Sequence, residues 1–433
     1  MADVARLCSE LIRFDTTNRG NGDSEGEREA AEFVAGTLSS AGVSAKLLEG
    51  SARRSNVVAR VPGTVPDLDA LLVQGHLDVV PADPAGWSVH PFSGEVADGF
   101  VWGRGAVDMK DFVAMVLSVL QDWHDSGRRP RRDIVFAFVA DEEDHGEAGA
   151  HWLVGEYPEL FQGCVAAIGE SGAYTYHARA TDGSDVRLYP VATAERGTAH
   201  VQLTANGRAG HGSRRNDDNP VTKLVGSLHR LATYEWPVRL TPTVLTFLEC
   251  ACEALGVECD PSDVDGTLAR LGSVAALAEN TVRNSTTPTM LSAGYKVNVV
   301  PASAVAEVDV RVLPGTEDEL VSVVDSLLDE SVSRQFTARQ PAVQAPVDSP
   351  WFDAMAAALR AEDPGAVVLP YCMGGGTDAK AFCRLGMDCY GFAPLWLPEG
   401  FDYRAMAHGV DERVPVEGLR FGTRVLDRFL STC

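Results

Sequence analysis

The sequence has few basic residues and no long apolar run. Lysine and arginine total 37 against 61 aspartates and glutamates, so the formal net charge is −24. A chain this acidic repels the phosphate backbone of nucleic acids and anionic lipid surfaces. It contains no run of about 18 apolar residues, so no membrane-spanning helix is expected. We therefore predict a small molecule as the ligand, and neither nucleic acid nor membrane as a partner.

Cysteine patterns that indicate disulfides or structural zinc are also missing. The nine cysteines are scattered, odd in number and without a C-x-x-C pair, which is typical of reduced thiols in a cytoplasm. Cys250, Cys252 and Cys259 are near enough in sequence to share a metal, but we favour their interpretation as small apolar residues of a helical stretch. The N-terminus lacks the basic start and apolar centre of a secretory signal, so we predict a cytoplasmic location.

The first 190 residues alternate helices with apolar strands. Residues 70–75 and 133–140 are continuous apolar runs, as expected for strands that are buried on both faces of a sheet. Residues 109–127 between them have the periodicity of a helix. This alternation predicts an α/β domain with a mostly parallel sheet.

The pattern changes near residue 195 and returns near residue 346. Residues 198–207 alternate like a half-exposed strand, and two further strand patterns and amphipathic helices follow. We predict that residues 195–345 form an α+β domain, including a helical stretch up to about residue 285. It is inserted into a domain made of residues 1–194 and 346–433.

Polar residues with metal-binding chemistry follow the predicted strands. In open α/β sheets, ligands bind beyond the carboxyl ends of the strands. The candidates there are His76, Asp78, Glu142, Glu143 and Glu170, with Asp108 just before a helix and His408 near the C-terminus. Imidazole and carboxylate groups suit zinc or a similar divalent ion. The set is too large for one tetrahedral ion, and it suits two ions that share a carboxylate.

Six motifs, in order along nearly the whole chain, carry a family resemblance. They are GHLDVVP, WGRGAVDMK, ADEE, GESG, GGGTDA and AHGVDE. In this order they resemble the M20 family of di-zinc metallopeptidases and deacylases. The family implies a zinc-exopeptidase-like catalytic domain with an inserted lid and dimerisation domain. Residues 283–301 resemble the branch with carboxypeptidase S and the N-fatty-acyl amino acid hydrolases.

The resemblance implies a role for each candidate residue. His76 and His408 would bind one metal each, Asp108 would bridge the two, and Glu143 and Glu170 would each complete one site. Glu142 would be the general base. Asp78 would accept a hydrogen bond from the far nitrogen of His76, which their i, i+2 spacing in an extended segment allows. Relatives have a cis peptide after the bridging aspartate, here Asp108–Met109, and usually a glycine where this chain has Asp111.

The inserted domain and a glycine-rich loop would complete the site. By resemblance, His211 is a lid histidine that donates to the oxyanion in the partner subunit's site. Asn298 and Arg311 would bind the substrate carboxylate, although Arg311 also fits an ordinary strand salt bridge. Gly375, Gly376 and Thr377 would offer N–H groups and a hydroxyl, although GGGTDA also fits a tight turn.

These expectations define one main function and two alternatives. We predict a homodimeric metal-dependent hydrolase of the amide bond in N-acyl amino acids, or in short peptides with a free carboxylate. Its cofactors would be two divalent ions, with zinc favoured over cobalt or manganese. The alternatives are a dipeptidase or carboxypeptidase, and a binding homologue without activity. The second alternative is disfavoured because both histidines and both glutamates of the DEE motif are present.

Overall fold

The computed structural model describes residues 3–433. The strands within them are β1 (Ala45–Ser51), β2 (Arg54–Val61), β3 (Ala70–His76), β4 (Glu95–Ala97), β5 (Phe100–Trp102), β6 (Ile134–Val139), β7 (Cys164–Gly169), β8 (Tyr176–Arg179), β9 (Asp185–Glu195), β10 (Gly197–Asn206), β11 (Gly210–His211), β12 (Ser285–Ala293), β13 (Val299–Val300), β14 (Ser303–Val312), β15 (Val332–Gln340), β16 (Val343–Gln344), β17 (Ala366–Met373), β18 (Asp388–Gly391) and β19 (Arg413–Pro415). The α-helices are α1 (Val4–Ile12), α2 (Arg28–Ser40), α3 (Lys110–Ser126), α4 (Ala150–Glu156), α5 (Pro220–Ala232), α6 (Pro242–Leu255), α7 (Val264–Leu271), α8 (Glu317–Leu327), α9 (Pro350–Glu362), α10 (Ala379–Phe382), α11 (Tyr403–Met406) and α12 (Val416–Thr432).

Ten strands form one large sheet. Their order is β1-β2-β6-β3-β7-β18-β9-β16, and β8 and β17 also pair with β9. The central strands β6, β3, β7 and β18 run parallel to one another, whereas β1, β2 and β16 are antiparallel to their neighbours. The α/β class with a mainly parallel central sheet is therefore confirmed.

Helices cover both faces of this sheet, which explains its continuous apolar strands. Successive side chains of a strand point to opposite faces. Leu71 and Val73 of β3 pack in the core with α1, α3 and α12, while Ala70 and Leu72 pack in the core with α4 and α10. The α3 helix begins at Lys110 and ends before Gly127, which has a left-handed backbone. None of the helices within residues 3–433 is long and apolar enough to cross a membrane.

A second sheet has four antiparallel strands in the order β12-β14-β10-β15. Burial alternates along β10 and β14 because one face packs against α5 and α8 in a core of its own. The chain enters this sheet directly from β9 of the large sheet and returns to it through β16.

The helical stretch between α5 and β12 packs differently from what its position in the sequence indicates. Residues of α6 and α7 share a core with β9 and β17 of the large sheet, because those strands offer the apolar surface that α6 buries. Cys252 is buried in that core. The division of the chain at residues 195 and 345 remains a prediction, as do reduced thiols and a cytoplasmic location.

Candidate metal centre

The candidate residues lie at the carboxyl edge of three adjacent parallel strands. His76 is the last residue of β3, Glu142 and Glu143 follow β6, and Glu170 follows β7 directly. The sheet order β6-β3-β7 makes these three ends neighbours. Parallel strands present their carboxyl ends at one edge, so the topology gathers side chains that are far apart in sequence.

Two groups of donor atoms share Asp108. His76 Nε2 lies 3.1 Å from Asp108 Oδ1 and 3.8 Å from Glu170 Oε2. His408 Nε2 lies 3.2 Å from Asp108 Oδ2 and 3.3 Å from Glu143 Oε2. Each oxygen of Asp108 thus faces a different histidine, as a bridging carboxylate requires. The convergence predicted for these five residues is observed, and the Asp108–Met109 peptide is cis as predicted.

The chemistry of this set fits two divalent cations. Two imidazoles and three carboxylates are typical ligands of zinc and related ions. Within each group the ligand atoms lie within 4.8 Å of one another. Glu143 Oε1 is buried without a hydrogen-bond partner, which leaves it available as a ligand. His76 Nδ1 donates to the backbone oxygen of Asp78 at 3.0 Å. On losing its second proton, as metal binding requires, His76 would therefore present the lone pair of Nε2 to the centre.

Desolvation and close charges shift the titration of these groups. Burial raises the pKa of Glu170 to about 7, and it raises the pKa of Glu142 well above its usual range, with the charge of Glu170 adding to the effect. Hydrogen bonds to Asp108 and Glu143 raise the pKa of His408 to about 10. Burial opposes ionisation of Asp108 too, but hydrogen bonds from His408 and His76 hold its pKa below the usual range. Such opposed shifts are typical of functional sites.

The carboxylate of Asp78 has a different partner from the one predicted. Its Oδ1 is 3.6 Å from His76 Nδ1, too far for a hydrogen bond. The two oxygens instead accept from the backbone N–H groups of Glu142 and Glu143, each at 3.1 Å. The prediction that the carboxylate orients His76 is therefore wrong: the backbone oxygen of Asp78 takes that bond, and the carboxylate fixes the glutamate pair.

Glu142 and Glu143 lie in a tight turn that follows β6. Residues Glu142–Asp144 form one 3₁₀ turn between Asp141 and His145, which both have left-handed backbones. One carboxylate oxygen of Glu142 lies within 4.8 Å of ligand atoms of both His76 and Glu143. The turn therefore places Glu142 beside both donor groups.

The chain matches known proteins along most of its length. The sequence profile of Peptidase family M20/M25/M40 matches residues 72–432. The chain belongs to this family. Membership identifies it as a hydrolase of amide bonds, and the resemblance seen in the six motifs is confirmed.

Relatives in sequence and structure agree with this membership. The chain is 27% identical over 364 residues to the probable carboxypeptidase S-like 2 of Dictyostelium discoideum, covering 82% of this chain and 69% of the relative. It is 29% identical over 383 residues to aminoacylase-1 of Homo sapiens, covering 86% of this chain and 82% of the relative. The M20 family metallo-carboxypeptidase Sso-CP2 from Sulfolobus solfataricus has a similar fold, with a TM-score of 0.74 at 17% identity over 100% of this chain and 99% of that chain.

His211, Asn298 and Arg311, which the family resemblance assigns to a lid, lie outside the two donor groups. His211 is exposed on β11, which pairs with β13, and its Nδ1 accepts from the N–H of Ser213 at 3.2 Å. Asn298 is exposed next to β13, and its backbone oxygen accepts from Gly212 N–H at 2.9 Å. The Arg311 guanidinium donates to both oxygens of Asp309, at 2.7 and 3.1 Å. This contact is the ordinary strand salt bridge that was the alternative expectation for Arg311. Their catalytic and substrate roles remain proposals.

The glycine-rich loop is hydrogen-bonded to the end of β9 in the large sheet and to Arg196, which follows it. Gly375 and Gly376 are exposed, but Thr377 is buried. Both the N–H and the hydroxyl of Thr377 donate to Glu195, at 3.0 and 2.5 Å, so neither group of Thr377 is free in this structure. Lys380 Nζ donates to the backbone oxygen of Arg196 at 2.8 Å.

Sequence reasoning missed several polar residues around the centre. Asp378 is buried with Oδ2 unpartnered, and its place inside the GGGTDA motif was a usable signal. Arg54 and Asp141 form a buried ion pair at 2.7 Å. The apolar strand that begins at Arg54 gives no sign of this contact, because the two residues are 87 positions apart.

Proposed function

We propose that the protein is a di-metal hydrolase that cleaves the amide bond of N-acyl amino acids with a free carboxylate. The observation that carries the proposal is the pair of donor groups that share Asp108, with Glu142 beside both. His76 and Glu170 would hold one ion, and His408 and Glu143 the other. Zinc is the proposed metal, and cobalt and manganese accept the same ligands. Bound ions would supply Lewis acidity at the scissile carbonyl.

Glu142 is the proposed proton carrier. It ligates neither ion in this assignment, and one of its carboxylate oxygens lies within 4.8 Å of ligand atoms of His76 and Glu143, which belong to different donor groups. It takes a proton from the attacking water and delivers it to the leaving nitrogen. The raised pKa of the buried Glu142 carboxyl suits that task, since a general base works best with a pKa near the working pH.

Cations near the lid support a substrate with a carboxylate. Arg311 lies within electrostatic reach of Arg196 and Lys380. Arg196 is buried, and its Nε has no hydrogen-bond partner. The chain between the two sheets therefore has an N–H donor available for a ligand. A planar guanidinium is suited to a carboxylate, and we propose that Arg311, with Asn298, binds the one on the substrate.

Replacing Arg311 by leucine tests this contact. We expect kcat/KM for an N-acyl amino acid to fall about 10–100-fold, because a hydrogen bond to a charged group contributes roughly 1.5–3 kcal/mol. The matched substrate is the same compound with its carboxylate converted to a primary amide, which should lose far less. The control variant is Arg339→Leu, an exposed arginine on the same sheet. Equal losses on acid and amide would contradict the role of Arg311.

A carboxypeptidase acting on short peptides is the second candidate. It is favoured by the similarity to a probable carboxypeptidase S-like protein and to the fold of a metallo-carboxypeptidase. Both substrate classes share an amide bond next to a carboxylate-bearing carbon. A hydrolysis screen of acetyl-, succinyl- and long-acyl amino acids beside dipeptides, with metal analysis of the same sample, separates the candidates. Faster cleavage of dipeptides than of every acyl amino acid would reject the first.

We also propose a homodimer through the edge of the four-stranded sheet. β12 is an edge strand with unpaired backbone groups, and apolar side chains along and just beyond it are exposed: Met290, Leu291, Tyr295 and Val297. An open edge with exposed apolar side chains is typical of an interaction surface. A second copy related by a two-fold axis pairs this edge with itself, and we propose that it carries each His211 to the neighbouring centre.

A further inference from the structure

A buried arginine contacts the residue that precedes Glu142. Arg54 is the first residue of β2, and its side chain is 8% exposed. Its Nη2 donates to Asp141 Oδ1 at 2.7 Å, and its Nε donates to Glu27 Oε2 at 3.0 Å. The side chain of Glu27, at the start of α2, is fully buried. Arg54 thus links α2 to the turn that carries the glutamate pair.

The contacts of Asp141 and Asp78 hold that turn from several sides. Asp78 accepts from the N–H groups of Glu142 and Glu143, and Asp141 Oδ2 accepts from Ala148 N–H at 2.9 Å. Asn18 Nδ2 joins the two aspartates, at 2.9 Å from Asp78 Oδ2 and 3.2 Å from Asp141 Oδ1. The position of the turn therefore depends on where these two carboxylates lie.

Arg54 is the cation that holds the carboxylates together. Glu27, Asp78 and Asp141 are all buried, and within residues 3–433 Arg54 is the one arginine or lysine that forms an ion pair with any of them. Its Nη2 is 3.9 Å from Asp78 Oδ2. Removing one partner from a buried ion pair leaves an uncompensated charge, which is strongly unfavourable. Asp78 and Asp141 would then repel each other and move apart, and the turn would move with them.

We propose that Arg54 is a positioning residue: anchored by Glu27, its guanidinium holds Asp141 and Asp78 where they fix the turn that carries Glu142 and Glu143. This inference rests on the proposed roles of those two glutamates. The planar fork is required because Nε and Nη2 reach carboxylates on two different elements, and a lysine ammonium is a single point that cannot serve both.

The test compares Arg54→Lys with the matched control Arg60→Lys. Arg60 lies on the same strand, but its side chain is 35% exposed in a surface pair with Asp133. Co²⁺ is titrated into the chelator-treated proteins, and kcat, KM and the melting temperature are measured separately. We expect Arg54→Lys to bind Co²⁺ about 10–100-fold more weakly and to lose kcat by a similar factor with little change in KM, as for other residues that orient metal ligands. The control should match the wild type.

The Co²⁺ affinity decides the inference. If folded Arg54→Lys has a Co²⁺ affinity within threefold of the wild-type value, the inference is overturned, even if the melting temperature falls. A purely structural role would lower the melting temperature without changing the Co²⁺ affinity. A larger loss of affinity, absent from the control, supports it. Glu27→Gln decides by the same criterion if Arg54→Lys does not fold. A wild type that binds Co²⁺ but cleaves no substrate rejects the proposed function and leaves this measurement valid.

Discussion

Glu142→Ala is expected to lower kcat by about 10²–10⁴-fold while both metal ions stay bound. The substitution removes the proposed proton carrier and no proposed ligand, and general acid–base groups typically contribute a factor of this size. Steady-state kinetics and metal analysis of the same sample measure the two effects. A variant that retains more than about a tenth of the wild-type kcat would falsify the general-base role.

Two neighbours of Glu142 provide the controls. Glu143→Ala removes a proposed ligand that lies 3.3 Å from His408, so it should lose metal as well as activity. Glu147→Gln alters an exposed acid just after the same turn and should leave both unchanged. This pattern separates loss of the proton carrier from loss of the metal and from general disturbance of the loop.

Mixing two inactive variants is expected to restore activity if His211 acts on the partner subunit. His211→Ala and Glu142→Ala should each be nearly inactive as homodimers. In a heterodimer, one site then combines an intact Glu142 with an intact His211 from the other chain. We expect about half of the wild-type activity per heterodimer, because one of its two sites is complete. Activity is measured after conditions that exchange subunits, with exchange verified by mass.

The outcome separates action across the dimer from action within one chain. If His211 serves its own chain, neither chain of the heterodimer has both groups, and activity stays low despite proven exchange. The control mixes Glu142→Ala with Glu143→Ala. Both substitutions damage the catalytic centre itself, so recovery in that mixture would show that the assay detects something other than a rebuilt site.

The sequence predicted the core of the large sheet because the apolar runs of its strands match the burial of those strands in the fold. The apolar runs at residues 70–75 and 133–140 can be continuous only if both faces of each strand are covered, and the structure covers them with helices. The packing of α6 was not predictable in this way. An amphipathic helix shows which of its faces is apolar, but not which of two sheets will cover that face.

By itself, the sequence determined the type of fold, the family and the set of residues that meet at the candidate centre. It could do so because His76, Glu142, Glu143 and Glu170 follow buried strands whose carboxyl ends lie at one edge, and because the motifs occur in the order of a known family. The i, i+2 spacing in an extended segment also indicated that His76 and Asp78 can lie on the same side of the chain.

Only the tertiary structure decided which atoms bond. In the structure the Asp78 carboxylate accepts hydrogen bonds from the backbone N–H groups of Glu142 and Glu143, and the Thr377 hydroxyl donates to Glu195. The tertiary structure also placed Arg54 against Asp141. Each contact joins residues at least 64 positions apart, and its partners are chosen by packing and by the need to satisfy buried charges. A sequence pattern does not show which distant residues will come into contact. The sequence therefore predicted the residues of the centre, whereas their hydrogen-bond partners depend on the fold.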